Sequence, residues 1–143
     1  MDYQVFAKEL LKRYNDLKKA KVSLEEDILI LESEKYSVKF LERESSSSSG
    51  NNFEDHLVDV IVSLDEARFR KRVVDRDLKM IANGLKNLDE YEKELLDCFF
   101  INNIKNALEY IEKKYFRERT SVYIDRKKAI EKFTRSVYGI VRM

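Results

Sequence analysis

Stepping by seven from Tyr3 meets Leu10, Leu17, Leu24, Leu31 and Val38, six apolar residues on one heptad position. Tyr14 and Ile28 hold the companion position, which Lys21 and Lys35 also occupy. A repeat of 3.5 sustained over this length predicts a coiled-coil helix of about 40 residues, roughly 60 Å long. Glu44 is followed by five serines at 45–49 and by Gly50, Asn51 and Asn52. Serine competes with the helix for its backbone groups and glycine tolerates positive φ, so 45–52 reads as a flexible loop. A second seam then runs from Phe53 through Leu57, Val60, Leu64 and Ala67 to Leu88, its alternating four-three spacing interrupted by Lys71. Two long amphipathic helices joined by a short loop close most economically as an antiparallel coiled-coil hairpin over residues 1–87. Their apolar stripes are narrow, so a further partner is expected, and a second copy of the chain bound through these N-terminal helices supplies one.

The pattern changes after Asn83, Gly84 and Asn87, which mark a weak point near the end of the second helix. A third helix opens at Asp89 with Glu90 and Glu92 in its first turn, where negative charge suits the helix dipole. Its apolar face, with Tyr91, Leu95, Leu96, Cys98, Phe99 and Phe100, is wider and more aromatic than the seams before it. A short helix follows over about 106–115, with Leu108, Ile111 and Tyr115 inward, and a longer one over 120–137, with Val122, Ala129, Ile130, Phe133 and Val137 inward. No strand-like alternation occurs. The expected fold class is all-α, with a small C-terminal helical domain at 88–143.

Composition narrows the functional classes. Proline is absent and glycine occurs three times in 143 residues, while 38% of the chain is charged, so helix breakers are scarce. Eight phenylalanines and eight tyrosines are too many for a disordered polar chain. No apolar run approaches 18 residues and the first residues lack a signal-peptide pattern, so no membrane partner and a cytoplasmic location are expected. The one cysteine, Cys98, permits no internal disulfide, and with the one histidine, His56, it cannot form a zinc site of the usual kind. Cys98 on an apolar helix is a packed thiol rather than a nucleophile, and His56 beside the seam is a surface residue. No glycine-rich phosphate loop or nucleophile–base set can be assembled, so neither an enzyme nor a cofactor or metal is expected.

Charge distribution gives the positive signal. Residues 104–143 carry 11 Lys/Arg against 5 Asp/Glu, whereas residues 1–103 carry 17 against 22. A basic end on an acidic body points to a polyanionic partner. Here a short helix, a tight connection at 117–119 and a basic helix follow one another, which is a helix-turn-helix pattern. A helix fits the major groove of duplex DNA, its N-terminal residues reach base edges and flanking cations neutralise phosphates. The candidates for base contact are Arg119, Thr120, Ser121 and Tyr123. Those for phosphate contact are Lys113, Lys114, Arg117, Arg126, Lys127 and Lys128.

The C-terminal segments LDEYEKELL at 88–96, ALEYIEKK at 107–114 and RKKAIEKF at 126–133, with VYG at 137–139, carry a resemblance. Together they resemble the sigma-factor region-4-like domain of small phage and prophage transcription regulators of the ArpU/RinA-like group. The first segment is similar to the helix before the helix-turn-helix, the second to its first helix and the third to the recognition helix. Members often carry an N-terminal helical hairpin as well. The resemblance implies a regulator of phage or prophage late genes that binds double-stranded DNA and contacts RNA polymerase. The chain departs from the family at Glu112, where a small residue is usual, and at Phe116, where the turn usually has glycine. The competing expectation is a coiled-coil assembly or adaptor protein of the phage packaging or scaffolding type, with the two seams as its working surface and no specific DNA binding.

Overall fold

The structure, a computed structural model, describes residues 2–44 and 50–139. It is all-helical: α1 (Tyr3–Lys12), α2 (Tyr14–Glu44), α3 (Gly50–Lys86), α4 (Glu90–Leu96), a π-helical turn (Asp97–Ile101), α5 (Ala107–Tyr115) and α6 (Arg119–Tyr138). The serines at 45–49 lie outside the described residues. The loop expected to run on to residue 52 does not: α3 is already helical at Gly50. The first turn of a helix has no N–H partners to lose, which lets Gly50, Asn51 and Asn52 occupy it.

The single N-terminal helix is in fact two. The Asp2 carboxylate caps α1 by accepting from the Gln4 N–H at 2.9 Å, and the helix stops at Arg13, whose ψ of −5° departs from the α value. The Arg13 N–H is shared between the carbonyls of Glu9 and Leu10, both at 3.2 Å, before α2 resumes. Beside this break the Arg13 guanidinium donates to Asp77 Oδ2 at 2.7 Å, and Asp77 is buried. No glycine or proline marks this break. Its partner lies 64 residues away in sequence, beyond the reach of a local pattern.

The chain divides into two compact units, one of residues 1–18 with 76–143 and one of residues 19–75. The expected boundary at 87/88 therefore differs from this division, which falls inside both long helices. The reason is packing by residues on either side of it. α1 lies against α6, with the Tyr3 and Tyr138 rings 5.3 Å apart, and Gly84 of α3 lies against Phe133 of α6. In this unit the buried residues include Leu10, Leu11, Ile81, Leu95, Ile111, Val122, Ile130 and Phe133.

In the unit of residues 19–75, α2 and α3 meet in opposite sequence order. Lys21 Nζ lies 3.3 Å from Asp75 Oδ1, Glu32 Oε1 accepts from Arg68 at 2.9 Å, and Glu34 Oε1 lies 3.2 Å from His56 Nε2. Val38, Val60, Leu64 and Ala67 are buried as the seams require. Two lysines that interrupt the seams, Lys21 and Lys71, share the Asp75 carboxylate, Lys71 donating to it at 2.8 Å. The hydrogen bond from Lys71 is the main cause that holds the Asp75 carboxyl below its ordinary pKa. No helix among the described residues is long and apolar enough to cross a membrane.

Candidate nucleic-acid interface

α4 begins with a reciprocal cap: the Glu92 N–H donates to Asp89 Oδ1 at 2.8 Å and the Asp89 N–H to Glu92 Oε1 at 3.1 Å. Beyond Leu96 the chain loosens into the π-helical turn, closed by the Asn102 N–H on the Asp97 carbonyl at 2.8 Å. The extra residue sets Cys98 inward and leaves Phe99 and Phe100 half-buried. Burial pushes the Cys98 thiol up to about 11, which keeps it protonated and unreactive at neutral pH.

Asn106, in the left-handed region at φ 61°, leads into α5, which ends on Phe116 at φ 53° and ψ 48°. The Phe116 side chain is 94% exposed. Glu118 then stands at the N-cap of α6, and the helix starts at Arg119, one residue earlier than the periodicity placed it. Three residues, 116–118, thus connect α5 to α6. Leu95, Cys98, Ala107, Ile111 and Val122 form the shared core beneath them, with Tyr91 and Tyr115 packed on its edge.

The ten candidate DNA contacts fall into two groups. Along α6, Arg119, Thr120, Tyr123, Lys127 and Lys128 are exposed on the face away from the core, with Ser121 half-buried at its margin. Among the described residues, no ion pair involves Arg119, Arg126, Lys127, Lys128 or Lys113. Arg126 lies against two rings instead, its guanidinium 4.8 Å from the Phe99 ring centroid and 5.0 Å from that of Tyr123.

The second group is engaged within the protein. Lys114 Nζ donates to both oxygens of Glu94, at 2.7 and 2.9 Å, and Tyr110 and Tyr115 donate their hydroxyls to the same carboxylate. Burial works against the charge on Glu94, but the bonds from Lys114, Tyr115 and Tyr110 outweigh it and lower its pKa. The bond to Glu94 in turn raises the pKa of Lys114. Arg117 lies 3.8 Å from Asp125 and 5.2 Å above the Tyr91 ring. Tyr91 donates to Asp125 at 2.8 Å, and burial together with that bond pushes its hydroxyl up to about 12. Lys114 and Arg117 therefore tie α4, α5 and α6 together, and a phosphate would have to compete with their carboxylates.

One feature of this surface is not legible from the C-terminal segment alone. Gln4 and Lys8 of α1 join Phe100, Tyr123, Arg126 and Lys127 around a cleft of about 380 Å³. Lys8 is a lysine of the first helix in sequence, and no local pattern there names the helix it meets. Among the described residues no group of three or more His, Cys, Asp or Glu side chains is placed to hold a metal ion. No protein-family model, curated protein or solved structure matches the chain.

Proposed function

We propose that this chain is a sequence-specific regulator of transcription that binds duplex DNA and reads the major groove with α6. The observation that carries the reading is the outward face of that helix, where Arg119, Thr120, Tyr123, Lys127 and Lys128 stand exposed at helical spacing. On this reading α5 and α6 are a helix-turn-helix, Arg119, Thr120, Ser121 and Tyr123 approach base edges, and Lys113, Arg126, Lys127 and Lys128 approach phosphates. Lys114 and Arg117 set the angle between the helices, and any phosphate contact they make comes second to that. The chain acts without catalysis, in the cytoplasm, as an ArpU/RinA-like regulator of phage or prophage late genes in contact with RNA polymerase. The segments at 88–96, 107–114 and 126–133 support that family reading.

The N-terminal helices serve this function as a coiled-coil hairpin that pairs with a second copy. Val22, Leu29 and Tyr36, spaced by seven on α2, are 56%, 67% and 73% exposed, a stripe that pairing with another chain would cover. The same stripe favours the second reading, a coiled-coil adaptor of the packaging or scaffolding type in which α6 is a solvated face.

Fluorescence anisotropy against duplex fragments of the source genome, at low and near-physiological salt, separates the two. Nanomolar binding to a subset of fragments that survives the higher salt supports the regulator. Weak binding, equal across fragments and abolished by salt, leaves the adaptor.

A further inference from the structure

The cleft between α1, the π-helical turn and α6 brings cationic and aromatic side chains together around one cavity. Its walls carry three cations, Lys8, Arg126 and Lys127, and two aromatic rings, Phe100 and Tyr123. No ion pair among the described residues involves any of the three cations, although Lys114, Arg117 and Lys132 of the same unit each have a carboxylate within 4 Å. Two of the three rest near rings: Arg126 lies 4.8 Å from the Phe99 centroid and 5.0 Å from that of Tyr123, and Lys8 Nζ sits 5.9 Å from the Phe100 centroid. Positive charge is thus concentrated there without an ion-pair partner among the described residues.

We infer that this cleft binds one unpaired nucleotide, with its phosphate on Lys8, Arg126 and Lys127 and its base against Tyr123 and Phe100. Its volume of about 380 Å³ lies in the range of small-molecule sites and suits a nucleoside monophosphate. Stacking on an aromatic face with a cation at the phosphate is how unpaired nucleotides are held with little regard to base identity. Gln4 at the rim adds an amide that can both donate to and accept from a base edge. The site goes beyond duplex recognition, because a base stacked and paired in a duplex cannot enter a cleft. It shares Tyr123, Arg126 and Lys127 with the proposed DNA face but takes Lys8 and Phe100 from elements that face does not use.

The test is a ¹H–¹⁵N NMR titration of the full chain with adenosine 5′-monophosphate, compared with inorganic phosphate, adenosine, a short oligothymidylate and a blunt duplex. Saturable shifts centred on Lys8, Phe100 and Tyr123 are expected, with the nucleotide at least tenfold tighter than phosphate or adenosine alone. Lys8→Gln and Tyr123→Leu should each weaken it roughly tenfold or more, the effect that follows removal of one stacking or phosphate interaction. Lys79→Gln, on an exposed part of α3, should not. Equal affinity for the nucleotide and the oligothymidylate identifies a free nucleotide as the ligand, and at least tenfold tighter strand binding identifies a nucleotide within a single strand. Phosphate binding as tightly as nucleotide, shifts lying elsewhere, or folded Lys8→Gln and Tyr123→Leu variants that bind like the parent would each overturn the site. Duplex binding without nucleotide binding overturns the cleft and spares the regulator; nucleotide binding without duplex binding does the reverse.

Discussion

Gly84 and Phe133 are in contact at a distance no other residue at position 84 could allow. A Cβ built on Gly84 would stand 2.4 Å from Phe133 Cε2 and 2.6 Å from Cδ2, with Val137 Cγ2 also at 2.6 Å. Phe133 is fully buried and Val137 half-buried, so neither is free to swing away. Gly84→Ala would gain about 1 kcal/mol of helix propensity in α3. Against that, overpacking a tight contact costs typically 1–3 kcal/mol, and a 2.4 Å approach belongs at the upper end. The expected result is a net loss of about 1–2 kcal/mol, the difference between those two effects, seen as a lower melting temperature by circular dichroism at 222 nm. A variant as stable as the parent would mean that α3 and α6 are not packed at this distance.

Phe116 presents the opposite case. It closes α5 in the left-handed region at φ 53°, with its side chain 94% exposed, so it has conformational strain and little packing to offset it. Left-handed backbone costs a residue with a Cβ roughly 1–2 kcal/mol, and glycine escapes that cost while losing more chain entropy on folding. Phe116→Gly should therefore raise stability by about 0.5–1 kcal/mol, measured as a higher urea midpoint at unchanged slope. Glycine is also the residue that the resemblance leads one to expect in this turn. Asn103 and Asn106 also adopt positive φ, but asparagine tolerates it and no comparable gain is expected there.

These two positions show where local pattern stops. The seams place Leu10, Leu17, Val38, Val60, Leu64 and Ala67 inside, and all are buried, because a 3.5-residue repeat on an amphipathic helix is a local property. The inward set of α6, Val122, Ala129, Ile130 and Phe133, is readable for the same reason. Gly84 reads only as a weak point in a helix, since its packing partner lies on a helix formed 49 residues later. The interruption at Arg13 has no breaker to announce it. Of the site, the exposed face of α6 follows from periodicity, whereas the capture of Lys114 by Glu94 and of Arg117 by Asp125 is tertiary. A run of cations gives charge without saying which of them the protein itself will use.

The Glu94 carboxylate makes that internal use testable by pH. Its folded pKa is lowered from the ordinary 4.5, so the stability it contributes is present above that value and is lost as pH falls through the folded pKa. Glu94→Gln removes the charge at every pH while keeping the shape. The variant should melt roughly 2–5 °C below the parent at neutral pH, the size of effect expected for one partly buried charge network in a small domain. The gap should close as the solution is acidified below the folded pKa, where the parent carboxyl is neutral as well. A gap that stays constant from neutral to acid pH would show that the bonds from Lys114, Tyr110 and Tyr115 do not depend on the carboxylate charge.

Lys127 and Lys128 distinguish electrostatic anchoring from sequence reading on α6. Both are exposed and without a carboxylate partner among the described residues, so on the regulator reading each neutralises a phosphate and releases counterions. Replacing both with alanine should weaken binding on every duplex and flatten the plot of log affinity against log salt by about two units, about 0.9 for each phosphate left without its lysine. Tyr123 lies on the same face, 42% exposed and braced by Arg126. Tyr123→Ala should instead leave the salt slope nearly unchanged while altering the ranking of duplex sequences, because a phenol reads base edges and carries no charge. The two variants therefore separate along independent axes, slope and ranking. If both bind duplexes like the parent, α6 is not the recognition helix, and the exposed stripe of α2 becomes the functional surface to pursue.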